Sequence, residues 1–327
     1  MVHNNKHTIH IVDHLRSYSL LQGILPVLPT PYGDDGAVDP AAMRALVEFA
    51  IGAGVQGMVF PGFASEVEAL SDDERISLMR IVVEANAGRV QLIAGASAAT
   101  VEAVVRFGRE ALDLGLRYLM IQAPKEAGTQ VDEVTAFFRA ISEQLPGVEI
   151  VLQNAPLPRG SDLDPETLLA VVGNVPAITY VKGETLPSGP AISVLQASPP
   201  AHLAGIIGGG GARYVIDEYE RGACGTMPAL ELVDLHVQLD RAWRSGDKVR
   251  ARHLYARSLP LLLLQAVYRM HLTKHVLTRR GVIDTAAVRA KGPRPDAMAL
   301  RDIDSWLAEA ADIFTLAPVD HRPGEPS

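Results

Sequence analysis

One lysine sits in a setting that suits covalent chemistry. Lys182 closes the short β-branched and apolar run Ile178-Thr179-Tyr180-Val181, and Glu184 follows two residues later. Where a buried strand meets its loop an amine loses hydration, and burial disfavours its charged form. A free amine can attack a ketone and form an imine. The same position also suits a lysine that packs its stem on the strand and keeps its head in water. Lys125, Lys248, Lys274 and Lys291 are the fallback amines, and none of them ends a predicted strand. Polar and small residues that could share a site with Lys182 fall in three further stretches. Gly62-Phe63-Ala64-Ser65-Glu66 follows one apolar run, and Gln153-Asn154-Ala155-Pro156 ends another. Gly208-Gly209-Gly210-Gly211 lacks both the spacing of a dinucleotide loop and the lysine-hydroxyl pair of a phosphate loop, so it reads as room for a substrate near helix amides.

These residues are far apart in sequence, so the elements between them must bring them together. Short apolar runs at 24–28, 57–60, 90–94, 118–122, 149–153, 178–182, 203–207 and 222–227 predict strands, the last ending at Met227. Segments of helical period at 40–52, 72–87, 100–114, 130–144, 165–172, 189–197 and 212–221 separate them, and 230–243 follows the last. Ser71 before Asp72-Asp73-Glu74 places an N-cap oxygen and early negative charge where free amides need them. Asp39-Pro40 and Asp164-Pro165 repeat that logic with proline at the first helical position. Eight strand-helix units within about 240 residues predict a (β/α)8 barrel, with an open doubly wound sheet as the alternative. In the barrel the C-terminal strand ends share one mouth, where Lys182, Gln153, Gly62 and Gly208 would meet. The expected division is an N-terminal extension over 1–22, the barrel over 23–245, and a C-terminal helical region and tail over 246–327, with extra helices at 247–279 and 295–311.

Composition narrows the function classes. Among 327 residues, 48% are hydrophobic and 21% charged, a globular profile with ample material for a core. A formal charge of −8 argues against a nucleic-acid partner, which needs a basic face to displace counterions. Cys224 is the single cysteine, so no intramolecular disulfide and no cysteine-rich zinc site can form. His3, His7, His10 and His14 lie on a polar lead-in without a carboxylate or cysteine cluster to complete a metal shell. No metal or other cofactor is expected. The N-terminus lacks a secretory pattern, and the apolar run 259–264 is too short to span a bilayer, so the expectation is a cytoplasmic protein without membrane contact.

In order along the chain, Thr30-Pro31-Tyr32, Asp35-Gly36, Asp39, Gly62 through Glu66, Leu70-Ser71, Glu74-Arg75, Asn154, Pro156, Lys182 and 222–225 resemble the dihydrodipicolinate synthase and N-acetylneuraminate lyase family. The resemblance covers roughly 23–293 and implies a class I, Schiff-base (β/α)8 enzyme with Lys182 as the imine lysine. It also implies a small-molecule 2-keto acid substrate and a homotetramer built from dimers. Two departures stand out. The family's glycine, two threonines, glycine and glutamate appear here as Gly62-Phe63-Ala64-Ser65-Glu66, and Gln153 stands where the aldolases carry a proton-relaying tyrosine. An amide can hydrogen-bond but cannot exchange protons as a phenol can.

This form looks most like the branch that dehydrates 2-keto-3-deoxy sugar acids, such as 2-keto-3-deoxy-pentonate. The expected catalytic set is Lys182, Ser65, Glu66 and Glu184, with Glu66 alternatively bracing the barrel mouth. Gly62, Phe63, Ala64, Gln153, Gly208, Gly209 and Met227 are expected to line the substrate pocket. The alternatives are a pyruvate-dependent aldolase of the same family, and a sugar-acid-binding relative without catalysis.

Overall fold

The computed structural model describes residues 20–316. The four N-terminal histidines and the expected tail at 321–327 lie outside the described residues. The chain alternates β1 (Gly23–Ile24), α1 (Pro40–Ala53), β2 (Gly57–Phe60), α2 (Asp72–Asn86), β3 (Gln91–Gly95), α3 (Val101–Asp113), β4 (Tyr118–Ile121), α4 (Val131–Gln144), β5 (Glu149–Asn154), α5 (Pro165–Asn174), β6 (Ile178–Gly183), α6 (Ser188–Ala197), β7 (Gly205–Gly208), α7 (Val215–Glu220), β8 (Gly225–Thr226) and α8 (Val233–Arg244). The helix starts follow their caps. Asp39 accepts from the amides of Ala41 and Ala42 at 2.9 and 3.0 Å. Ser71 and Glu74 exchange reciprocal bonds at 3.2 and 3.0 Å, and Asp164 accepts from Thr167 at 2.9 Å.

All strand pairs are parallel, in the order β1-β8-β7-β6-β5-β4-β3-β2. The ends of that order meet just beyond β1. Val59 N–H donates to the Pro26 carbonyl at 2.9 Å and Leu28 N–H to the Val59 carbonyl at 3.0 Å, which closes the (β/α)8 barrel. β1 is shorter than the expected 24–28 because Pro26 has no N–H to extend a ladder, so single bridges from Val27 to Val59 and Ala229 take over.

Alternation along the strands sorts side chains into two layers. Val59, Ile93, Met120, Val151, Tyr180 and Ile207 fill the barrel interior. Their neighbours Met58, Leu92, Leu119, Ile150, Val181 and Ile206 pack outward under the helices. One irregularity matters for the site. Between β5 and β6 the register shifts, Ile150 pairing with Ile178 but Val151 with Tyr180, which leaves Thr179 without an opposite residue. This bulge sets Gln153 opposite Lys182 with both on the interior parity.

Beyond α8 lie α9 (Lys248–Tyr268), α10 (Met270–Arg279) and α11 (Ala297–Glu309). Leu261, Leu262, Leu272, Val276 and Ile303 bury together against Leu232. The helical stretch expected at 247–279 is broken at Arg269, which takes φ 49 between α9 and α10. No described helix is long and apolar enough to cross a membrane.

Candidate active site at the strand ends

Lys182 follows Tyr180 by two residues, so strand parity turns it inward, where its side chain is only 3% exposed. Its Nζ lies 2.8 Å from Glu184 Oε1 and 3.8 Å from the Met120 sulfur. Glu184 is folded back over the strand end because its N–H donates to the Asn154 carbonyl at 3.0 Å. Asn154, on the outward parity, exchanges two hydrogen bonds with the Leu163 backbone at 2.8 and 2.9 Å and anchors that turn. The second carboxylate oxygen of Glu184 accepts from Gln153 Nε2 at 2.9 Å and from Arg159 at 3.3 Å. Burial pushes the Glu184 carboxyl up, but Lys182, Arg159 and the Gln153 amide outweigh it and hold the group at about 2. The carboxylate is therefore ionised and fixed by three donors.

These groups face a cavity of about 310 Å³ that Phe63, Ala64, Met227, Gly210, Gly211, Arg213 and Arg269 help to line. Arg159 stacks over the Phe63 ring at 4.3 Å, and Arg269 lies 5.7 Å from the same ring. Gln153 and Gly62 line a smaller adjoining cavity with Met120 and Arg159. Gly208 and Gly209 are not among the residues that line the Lys182 cavity, and the backbone packed against Gly209 requires glycine there. A Cβ at Gly208 would lie 2.0 Å from Glu218 Oε2, and one at Gly209 would lie 2.4 Å from the Gly183 carbonyl. Glu218 is buried, accepts from Ser188 Oγ at 2.8 Å, and its carboxyl is pushed by burial up to about 7.

Ser65 and Glu66 do not line the Lys182 cavity. The buried Ser65 hydroxyl donates to the Leu28 carbonyl at 2.5 Å and accepts from Gly62 N–H at 2.9 Å, tying the loop after β2 to the chain after β1. Glu66 points the other way. It pairs with Lys274 at 2.5 Å, both side chains being 0% exposed, and accepts from the amides of Arg289 and Ala290 at 2.8 and 2.7 Å. Burial holds the Lys274 ammonium down at about 8 against the pull of Glu66. This pair links the barrel mouth to the loop after α10. Among the described residues no group of three His, Cys, Asp or Glu side chains could hold a metal ion.

Sequence reasoning missed Arg159, Arg213 and Arg269. Arg159 stands three residues after Pro156 in the loop that follows β5, a place where a charged residue could have been flagged. Arg269 gave no signal, because nothing in the local sequence marks a helix break there.

Fold and site together define a (β/α)8 barrel that buries a lysine beside a carboxylate at its strand ends. A model of the dihydrodipicolinate synthetase family matches residues 20–293, and the chain belongs to that family. It is 38% identical over 162 residues to a 4-hydroxy-tetrahydrodipicolinate synthase of Xanthomonas campestris pv. campestris, a match that covers 50% of this chain and 53% of that protein. The match to that relative thus spans about half of its length. An L-2-keto-3-deoxyarabonate dehydratase of Azospirillum brasilense is 29% identical over 278 residues, covering 84% of this chain and 89% of that one. A crystal structure of dihydrodipicolinate synthase from Rhodopseudomonas palustris superimposes with a TM-score of 0.81 at 26% identity, over 88% of this chain and 97% of that one.

Proposed function

We propose that the protein is a lyase that removes water from a 2-keto-3-deoxy sugar acid through an imine on Lys182. The observation that carries this reading is the buried triad in which Glu184 joins the Lys182 amine on one oxygen and the Gln153 amide on the other. In the proposed reaction the free amine attacks the C2 ketone and water leaves as the imine forms. The protonated imine makes C3 acidic. Glu184 takes the C3 proton, giving an enamine, and the electron pair then expels the C4 hydroxyl, which departs as water with a proton from the same carboxyl. A second water hydrolyses the imine and frees Lys182, so the net change is the loss of one water. Phe63, Ala64 and Met227 shape the wall, and Gln153 holds Glu184 and the substrate oxygen in place. Ser65 and Glu66 hold the loop after β2 rather than move protons.

Two features favour dehydration over aldol cleavage. Cleavage must draw a proton from the C4 hydroxyl, the task of the aldolase tyrosine, and no tyrosine lines the Lys182 cavity among the described residues. The Azospirillum dehydratase also matches over a larger share of this chain, 84%, than the 74% matched by a 4-hydroxy-tetrahydrodipicolinate synthase of Acidobacterium capsulatum at similar identity. The test is borohydride reduction in the presence of pyruvate, read by intact mass. The wild type should gain one covalent adduct on Lys182, and Lys182→Ala should gain none while keeping its fold. A full-yield adduct in the variant would overturn the assignment.

A further inference from the structure

The cavity carries more positive charge than a simple keto acid needs. Its charged lining consists of Lys182, Arg159, Arg213 and Arg269 against Glu184 and Asp162. Imine formation does not change that balance, because a protonated imine keeps the charge of the lysine. Glu184 is already paired with both Lys182 and Arg159, leaving the Arg213 and Arg269 guanidinium groups without an ion pair among the described residues. Arg213 is held in place by its bonds to Gln265 Oε1 at 2.7 Å and the Leu262 carbonyl at 3.3 Å. Burial together with the charge of Arg269 lowers its affinity for a proton. The guanidinium of Arg269, at the rim, has no hydrogen bond or ion pair among the described residues. It is presented by a positive-φ backbone that an arginine rarely adopts, at the break between α9 and α10. Phe63 lies against both Arg159 and Arg269 and keeps these like charges side by side at the mouth.

Resting on the imine reading of Lys182, we infer that Arg213 and Arg269 are specificity-determining residues for a keto acid that carries a second anionic group at the end remote from the imine. One excess positive charge answers the carboxylate next to the ketone, and the other answers the distal anion. A fixed array of guanidinium groups at a partly desolvated mouth suits a carboxylate or a phosphate, which it can grip with paired N–H donors. A neutral hydroxymethyl end would leave those donors and their mutual repulsion uncompensated.

The test compares three acids of equal chain length, 2-keto-3-deoxyhexonate, 2-keto-3-deoxyhexarate and the 6-phosphate ester of the first, with wild-type protein and with R269Q and R213Q. The expected result is a kcat/KM about tenfold or more higher for at least one of the two acids with an anionic end than for the neutral-ended acid, with a preference that shrinks as ionic strength rises. Preference for the hexarate assigns a diacid, and preference for the ester assigns a phosphorylated acid. R269Q should lose about tenfold more on the preferred anionic-ended acid than on the neutral-ended acid, mainly in KM, while its borohydride adduct with pyruvate confirms an intact site. Equal kcat/KM for all three acids, or the same fractional loss in R269Q whatever the terminal group, overturns the inference and leaves the imine reading standing. Absence of any adduct and of any turnover in the wild type overturns both.

Discussion

Lys182 and Gln153 are neighbours across the β5–β6 ladder, and both reach the same carboxylate, Glu184, at 2.8 and 2.9 Å. One strand thus supplies the amine and the other an amide at the place where a phenol would serve an aldolase. On the proposed reading Glu184 carries both proton steps. Glu184→Gln should keep imine formation, seen as the borohydride adduct with pyruvate, while turnover falls about 10²–10⁴-fold. Turnover within a few-fold of wild type would remove Glu184 from the reaction.

Glu66 is expected to matter for stability rather than chemistry. Glu66→Gln leaves the Lys274 ammonium buried beside a neutral amide, which should cost about 3–5 kcal/mol in urea unfolding. Activity per folded molecule should fall far less than in Glu184→Gln. Unchanged stability together with lost turnover would make Glu66 a catalytic group instead.

The fold was legible because its signals are local. Capping pairs such as Ser71 with Glu74, proline at the first helical position, and eight apolar runs at regular spacing specify barrel elements directly. Lys182 was legible from its place at a strand end. The aim of Glu66 was not, because its partner Lys274 lies more than two hundred residues away and on a helix outside the barrel. The pairing of Gln153 with Lys182 was equally hidden, since it depends on the bulge at Thr179, and a one-residue slip changes which residues stand opposite. Arg269 escaped notice because its exposure to the cavity follows from a positive φ that arginine seldom takes.

Glu218 should give the protein a pH-dependent stability. Burial lifts its carboxyl from 4.5 to about 7, so the folded chain keeps a proton there that the unfolded chain has released. Its contribution is complete below about pH 4.5 and is lost as pH rises toward 7, by roughly 3 kcal/mol at most. Glu231, lifted by burial to about 6, acts in the same direction. His236, held by burial at about 4, opposes both: it is neutral in the fold, so its contribution grows as pH rises from 4 to 6.5. Glu218→Gln removes the first of these, so relative to wild type the variant should gain stability between pH 5 and 7.5. Urea midpoints that differ by the same amount at both pH values would contradict this.

The C-terminal half of α9 exposes two large apolar side chains one turn apart, Leu263 at 62% and Val267 at 53%. We propose that this face joins subunits of a homotetramer built as a dimer of dimers, in line with the family resemblance. Light scattering at micromolar concentration should give a mass about four times the 35.1 kDa chain, and Leu263→Arg should lower it. A wild-type mass equal to one chain would refute the assembly.

On the proposed function the Lys182 imine serves dehydration rather than carbon-carbon cleavage. The most direct measurement is a product balance on the wild-type enzyme supplied with a 2-keto-3-deoxy sugar acid, combining mass analysis of the product with a lactate dehydrogenase assay for pyruvate. The expected product is a keto acid one water lighter than the substrate, formed without pyruvate, at a rate that Gln153→Tyr does not raise. Stoichiometric release of pyruvate would contradict it and restore the aldolase.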